Sequence, residues 1–165
     1  MNWSRAYFEQ AQSDLEVFKK LNLPEVPLSH RLHYLQMATE KLAKAHLTQG
    51  KDEPKLSHSV LVSFLQVCKQ RPELRRLLGY AHDYRAFSSY VDSMLPTAEK
   101  VQRLAPQAAG RNQPNPEYPW EDRNTATVMV PAQEDFSQLF SKQELASVAR
   151  LIYRLFGVSE HHFAG

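Results

Sequence analysis

Apolar residues return every three to four positions through most of this chain, and a Pro or Gly stands near most places where the rhythm stops. In the first such segment, about Trp3 to Leu21, Phe8, Ala11, Leu15 and Phe18 fall on one side of a 3.6-residue period. Glu9, Gln12, Glu16, Lys19 and Lys20 mostly take the other side, and Pro24 and Pro27 stop the segment. A second helix is expected from Ser29, as N-cap, to about Gln49, burying Leu32, Leu35, Ala38, Leu42 and Ala45. Its Glu40 and Lys44 read as an i,i+4 pair in the favoured orientation, worth about 0.3–0.5 kcal/mol if exposed, and Gly50 as the residue that closes it. Ser57 is the expected cap of a third helix, His58 to about Gln70, apolar over more than half its circumference and therefore central. A fourth is expected to start at Pro72 and run unbroken through Leu95, with Pro96 either kinking it or opening a new one.

The texture changes from Pro106 to about Asp135. Pro106, Pro114, Pro116, Pro119 and Pro131 are half of the protein's 10 prolines, and Gly110 stands among them. Thirty residues without a helix are unusual inside a compact domain. Tyr118 and Trp120 read as anchors that need burial, Tyr118-Pro119 as a candidate cis bond, and Thr127 to Pro131 as one short strand. The last helix is well signalled: Ser141 and Glu144 form a capping box ahead of Leu145, Val148, Leu151, Ile152 and Leu155. Gly157 is expected to end it, leaving EHHFAG as a frayed tail. The expectation is an all-α fold in a single domain, residues 1–165. It is an up-down bundle of five to six helices, with a core bundle at about 3–105. A long Pro-rich irregular arm at about 106–135 precedes a final helix at about 141–156.

Several function classes are excluded at this level. With 5 glycines there is no GxGxxG and no GxxxxGK[ST], so a Rossmann or P-loop enzyme is not expected. The one cysteine, Cys68, reads as a small core residue and as a mark of a reducing compartment. No apolar run approaches the roughly 20 residues of a membrane span. The expected location is cytoplasmic, with no membrane partner and no cofactor. Twenty Lys and Arg against 18 Asp and Glu give a formal charge of +2, too little to coat a polyanion. Any nucleic-acid contact must come from a local patch.

Three stretches taken in order, AQSDLEVFKKL, HRLHYLQMATEKLAKAHL and LSHSVLVSFL, resemble the HEPN domain family. The residues that carry the likeness are Ala11, Asp14 and Leu15; Ala38, Glu40, Lys41, Lys44, Ala45 and Leu47; and His58, Leu61, Phe64 and Leu65. The match spans roughly residues 6–95. It implies a four- or five-helix up-down bundle, commonly a homodimer, in a family tied to RNA cleavage, to nucleotide or nucleic-acid binding and to toxin–antitoxin systems. An antitoxin-like partner such as a small nucleotidyltransferase belongs to the same implication. Catalytic members carry Arg-x(4–6)-His, often followed by x-Tyr, and ELRRLLGYAHDYRAF supplies Arg75 or Arg76 before His82 and Tyr84. The polar residue usual after the Arg is absent, since Leu77 follows Arg76, and the surroundings are more apolar than the pattern.

If this stretch is one helix, Arg75 and His82 point within about 20° of each other, Arg85 shares their face and Arg76 points away. A cation would stabilise a phosphorane-like transition state while His82 acts as acid or base, and two copies would supply both. Lys69, Arg71, Arg75 and Arg85 are the candidate nucleic-acid contacts. Five cations against Glu73 and Asp83 leave +3 between Lys69 and Arg85, with Tyr80 and Tyr84 as candidate base-stackers. Residues 112–135 carry −4, and the arm is expected to pack near this basic helix, its own or a dimer mate's. The bland reading is a merely solvated face, and the rival function is a non-catalytic helical interaction or dimerisation module. His30 with His33, and His161 with His162, lack partners of recognised metal-site spacing, so no metal is expected.

Overall fold

The computed structural model describes residues 2–106 and 113–163, so the part of the expected arm around Gly110 lies outside the described residues. Helix α1 (Trp3–Lys20) starts where the Asn2 side chain accepts a hydrogen bond from the Arg5 N–H at 2.9 Å. It runs antiparallel to α2 (Leu28–Leu47): Ser4 donates to the Ala45 carbonyl at 2.7 Å, and Lys41 meets Asp14 at 2.6 Å farther along. All four stripe residues of α1 are buried. Pro27, not Ser29, is the N-cap of α2; Ser29 is one residue inside, buried, with its hydroxyl unpaired. Gly50, at φ +68°, takes the left-handed backbone expected after the helix.

Helix α3 (Leu61–Lys69) begins three residues later than the sequence pattern implies. Ser57 caps no helix. Its hydroxyl accepts from the Ser59 N–H at 3.2 Å while the His58 ring turns toward Glu40 at 3.0 Å. Leu61, Phe64, Leu65 and Cys68 are buried, and α3 contacts both α2 and α5 as a central helix should. Burial pushes the Cys68 thiol up to about 12, so it is an inert apolar filler.

The long fourth helix divides in two, α4 (Pro72–Leu77) and α5 (Tyr84–Arg103). Pro96 lies within α5 and neither ends it nor opens another. It sits on the exposed side, so water can serve the carbonyl that its missing N–H leaves open.

In the arm, β1 (Trp120–Asp122) and β2 (Thr127–Met129) pair antiparallel, Trp120 opposite Met129 and Asp122 opposite Thr127. The expected single strand is thus half of a hairpin. Two short 3-10 turns, Pro131–Gln133 and Phe136–Gln138, pack on α2. Trp120 is buried edge-on against Phe136 at 5.9 Å, but Tyr118 is 57% exposed. All peptide bonds among the described residues are trans, Tyr118-Pro119 included.

Helix α6 (Lys142–Phe163) opens with the reciprocal cap: the Ser141 N–H donates to Glu144 at 2.7 Å and the Glu144 N–H to the Ser141 hydroxyl at 3.1 Å. That bond and Lys100 at 2.6 Å hold the Glu144 carboxyl down at about 2, the lysine contributing most. The helix continues through Gly157 because its last turns have partners. Phe156 and Phe163 stack on Phe8 at 6.1 and 4.8 Å. Gly157 itself is exposed, and a Cβ there would meet nothing within 4 Å. Gly157→Ala should therefore stabilise the protein by about 0.5–1 kcal/mol through helix propensity and a less free unfolded chain, read as a higher urea midpoint.

Candidate nucleic-acid interface

Gly79 explains the break between α4 and α5. At φ +87° its N–H donates to the Arg76 carbonyl and the Tyr80 N–H to the Arg75 carbonyl, each at 3.0 Å. That pair of bonds is a Schellman cap, which turns the chain out of the helix. Asp83 restarts it, its carboxylate accepting from the Ala86 N–H at 2.8 Å. The corner is held from behind by Arg154 of α6, which donates to the Leu78 carbonyl. The same guanidinium lies 5.9 Å from the Tyr80 ring and 5.8 Å from Tyr90, and those two rings stack at 5.7 Å. Tyr80 is thus half-buried support rather than an open platform.

The geometric relation drawn from a single helix does not apply. Arg75 is on α4, His82 on the connecting segment, and Tyr84 and Arg85 on the first turn of α5. What the corner does bring together is Arg75 and Tyr84: the guanidinium lies 5.7 Å from the ring centroid, and the ring is 46% exposed. The Arg75 Nε is shielded from water and has no hydrogen-bond partner. Arg76, His82 and Arg85 are exposed nearby in sequence.

Lys69 and Arg71 are engaged within the chain. Lys69 pairs with Asp92, whose carboxyl is lowered chiefly by that hydrogen bond. Arg71 closes the C-terminal end of α2, donating to the His46 carbonyl at 3.2 Å and to the Gln49 side chain at 3.1 Å. The arm packs against α2, with Glu117 at 3.8 Å from His33. Among the described ion pairs none joins an arm carboxylate to Arg75 or Arg85.

The residues that carried the family likeness have a different task. Glu40 and Lys44 are buried at 2.7 Å from each other, and Gln36 and His58 also bond the Glu40 carboxylate, at 2.7 and 3.0 Å. Lys41 pairs with Asp14 across the helix interface. These links tie α1, α2 and the approach to α3 into one register. Only the i,i+4 spacing was visible in sequence; burial came from the chain that folds over it.

His46 also escaped notice. It is 1% exposed, stacked on Phe64 at 4.8 Å, with Nε2 at 2.8 Å from the Ser159 hydroxyl. Ser159 spends its own proton on the Leu155 carbonyl at 2.6 Å, so Nε2 must donate. The serine is therefore no nucleophile, and the ring is a neutral core group. Burial, then the charges of Arg71 and His162, hold its pKa down at about 3.

Among the described residues no three His, Cys, Asp or Glu side chains converge as metal ligands would. No helix among them is long and apolar enough to cross a membrane. Comparisons with models of known protein families, with curated proteins and with solved structures found no match to this chain.

Proposed function

We propose that this chain is an HEPN-like helical domain that binds single-stranded RNA at the α4–α5 corner. The observation that carries the reading is the Arg75 guanidinium against the half-exposed Tyr84 ring, with exposed Arg76, His82 and Arg85 close by in sequence. A base can stack on the open part of such a ring, and the arginines can neutralise the flanking phosphates. The buried links through Asp14, Glu40, Lys41, Lys44 and His58 support the family reading, since they give physical reasons for those residue types. Cleavage, in this proposal, belongs to a homodimer, where one His82 takes the 2′-hydroxyl proton and its mate protonates the leaving oxygen.

A fluorescent single-stranded RNA should bind, and Tyr84→Ala should weaken binding about tenfold, the loss of one stacked base. Arg76→Gln should lower affinity more evenly across sequences and flatten the salt dependence by about one counterion. Cleavage lost in His82→Ala, with binding kept, would establish the catalytic role; cleavage unaffected by His82→Ala and Arg75→Ala would end it. Tyr118 favours a second reading, a non-catalytic interaction module. Asn115 accepts from the Glu117 and Tyr118 N–H groups at 3.1 and 2.7 Å, a local turn that presents this exposed ring outward. Absence of RNA binding by the wild-type protein would move the assignment there.

A further inference from the structure

The end of α1, the first half of α2 and the first three turns of α6 enclose a groove of about 380 Å³. That lies within the range of small-ligand sites, roughly 300–1,000 Å³. Its floor is Phe18, Leu32 and Leu35, all buried, and on the α6 side Ala146 and Ala149 are small enough to leave the space open. Three cations line it, Lys19, Arg31 and Lys142, and no carboxylate does.

Two of those three cations are in none of the described ion pairs, a state they share with Arg75, Arg76 and Arg85 at the α4–α5 corner. Lys41, Lys44, Lys69 and Lys100 each have a carboxylate within ion-pair distance, and Lys19 has Glu16 at 2.5 Å. Arg31 and Lys142 have none among the described residues. The Arg31 guanidinium lies 5.9 Å from the Phe18 ring, and its Nε is shielded from water without any hydrogen-bond partner. Lys142, exposed, is the first residue of the 22-residue helix α6. An apolar floor beneath uncompensated cations fits a molecule with an apolar body and an anionic end. The lining offers little to read a nucleobase: beyond the cations, its polar side chains are Asn22 and the Tyr153 hydroxyl.

We propose that this groove binds a free medium-chain fatty acid, with its carboxylate at Arg31 and Lys142 and its chain laid along Phe18, Leu32 and Leu145. The site is separate from the α4–α5 corner and does not depend on RNA binding. The test is calorimetric titration of the whole protein with monomeric decanoate, beside decanol and phosphatidylglycerol vesicles. Saturable 1:1 binding of decanoate is expected, with decanol much weaker. Arg31→Gln should weaken decanoate about tenfold through loss of a charge-assisted hydrogen bond, and Lys142→Gln by a smaller factor. Ala149→Phe should abolish binding while far-UV circular dichroism stays native, because the new ring fills the groove. Equal affinity for decanol, decanoate binding unchanged in both charge variants, binding to vesicles alone, or no binding would each overturn the proposal.

Discussion

Glu40→Ala should cost about 3–5 kcal/mol, the largest single-residue loss expected outside the apolar core. The side chains of Glu40 and Lys44 are only 6% and 8% exposed, so deleting the carboxylate strands a buried ammonium and removes the acceptor of the Gln36 amide and the His58 ring. In a domain of this length that corresponds to a fall in melting temperature of about 10 °C or more. The size of the loss does not mean that the pair itself contributes that much. The attraction of two buried charges is largely spent on their desolvation, so removing both should cost far less than removing one. Glu40→Leu with Lys44→Met should recover most of the deficit, the remainder, about 1–2 kcal/mol, being the unpaired Gln36 amide. Urea melts of wild type, single and double variants at one pH decide the matter. A loss under about 1 kcal/mol in Glu40→Ala would show that water reaches the pair and that it behaves as a surface one.

That pair also shows where sequence patterning stops being informative. The apolar stripes of α1, α2 and α3 were legible because each is a local consequence of a 3.6-residue period. The Ser141–Glu144 cap was legible because both partners lie within four residues. Glu40 and Lys44 sit at the same kind of spacing, yet what surrounds them comes from elsewhere in the chain: the His58 ring, 18 residues from Glu40 and outside any helix, and the Tyr7 ring 5.7 Å from the Lys44 ammonium. Gly157 looked like a stop signal, and the helix passes it because Phe163 finds Phe8 at the far end of the chain. Gly79 was the opposite failure. The apolar residues at 74, 77, 78 and 81 carried a helical rhythm across it, although Leu77 proves 49% exposed and the glycine's left-handed backbone ends α4. The residue types of the corner could be read from sequence; their grouping could not, because a turn of six residues, 78–83, replaces the continuous helix on which the grouping was drawn.

The second large effect is a dependence of stability on pH that traces to His46. Its pKa is about 3 in the folded protein, against about 6.5 for an unperturbed imidazole. Between those values the unfolded chain binds a proton that the native state refuses, so stability rises with pH through this window and is lost as pH falls below about 6.5. The slope approaches about 1.4 kcal/mol per pH unit, and between pH 7 and pH 5 the loss should come to about 2 kcal/mol. Glu144, held at about 2 in the folded protein, acts mostly at lower pH, from the ordinary carboxylate value of about 4.5 downward, where the unfolded chain takes up its proton first. The physical content is that the ring cannot accept a proton at Nδ1, where Arg71 already stands at 3.4 Å, without burying a second cation beside the first. His46→Gln keeps a donor for Ser159 and removes the titration. It should be less stable than wild type at pH 7, since it gives up the stacking on Phe64 and His162, while its urea midpoint should change little between pH 7 and pH 5. A wild-type midpoint that is flat over that interval, or a His46→Gln variant that keeps the full slope, would place the proton uptake on other groups.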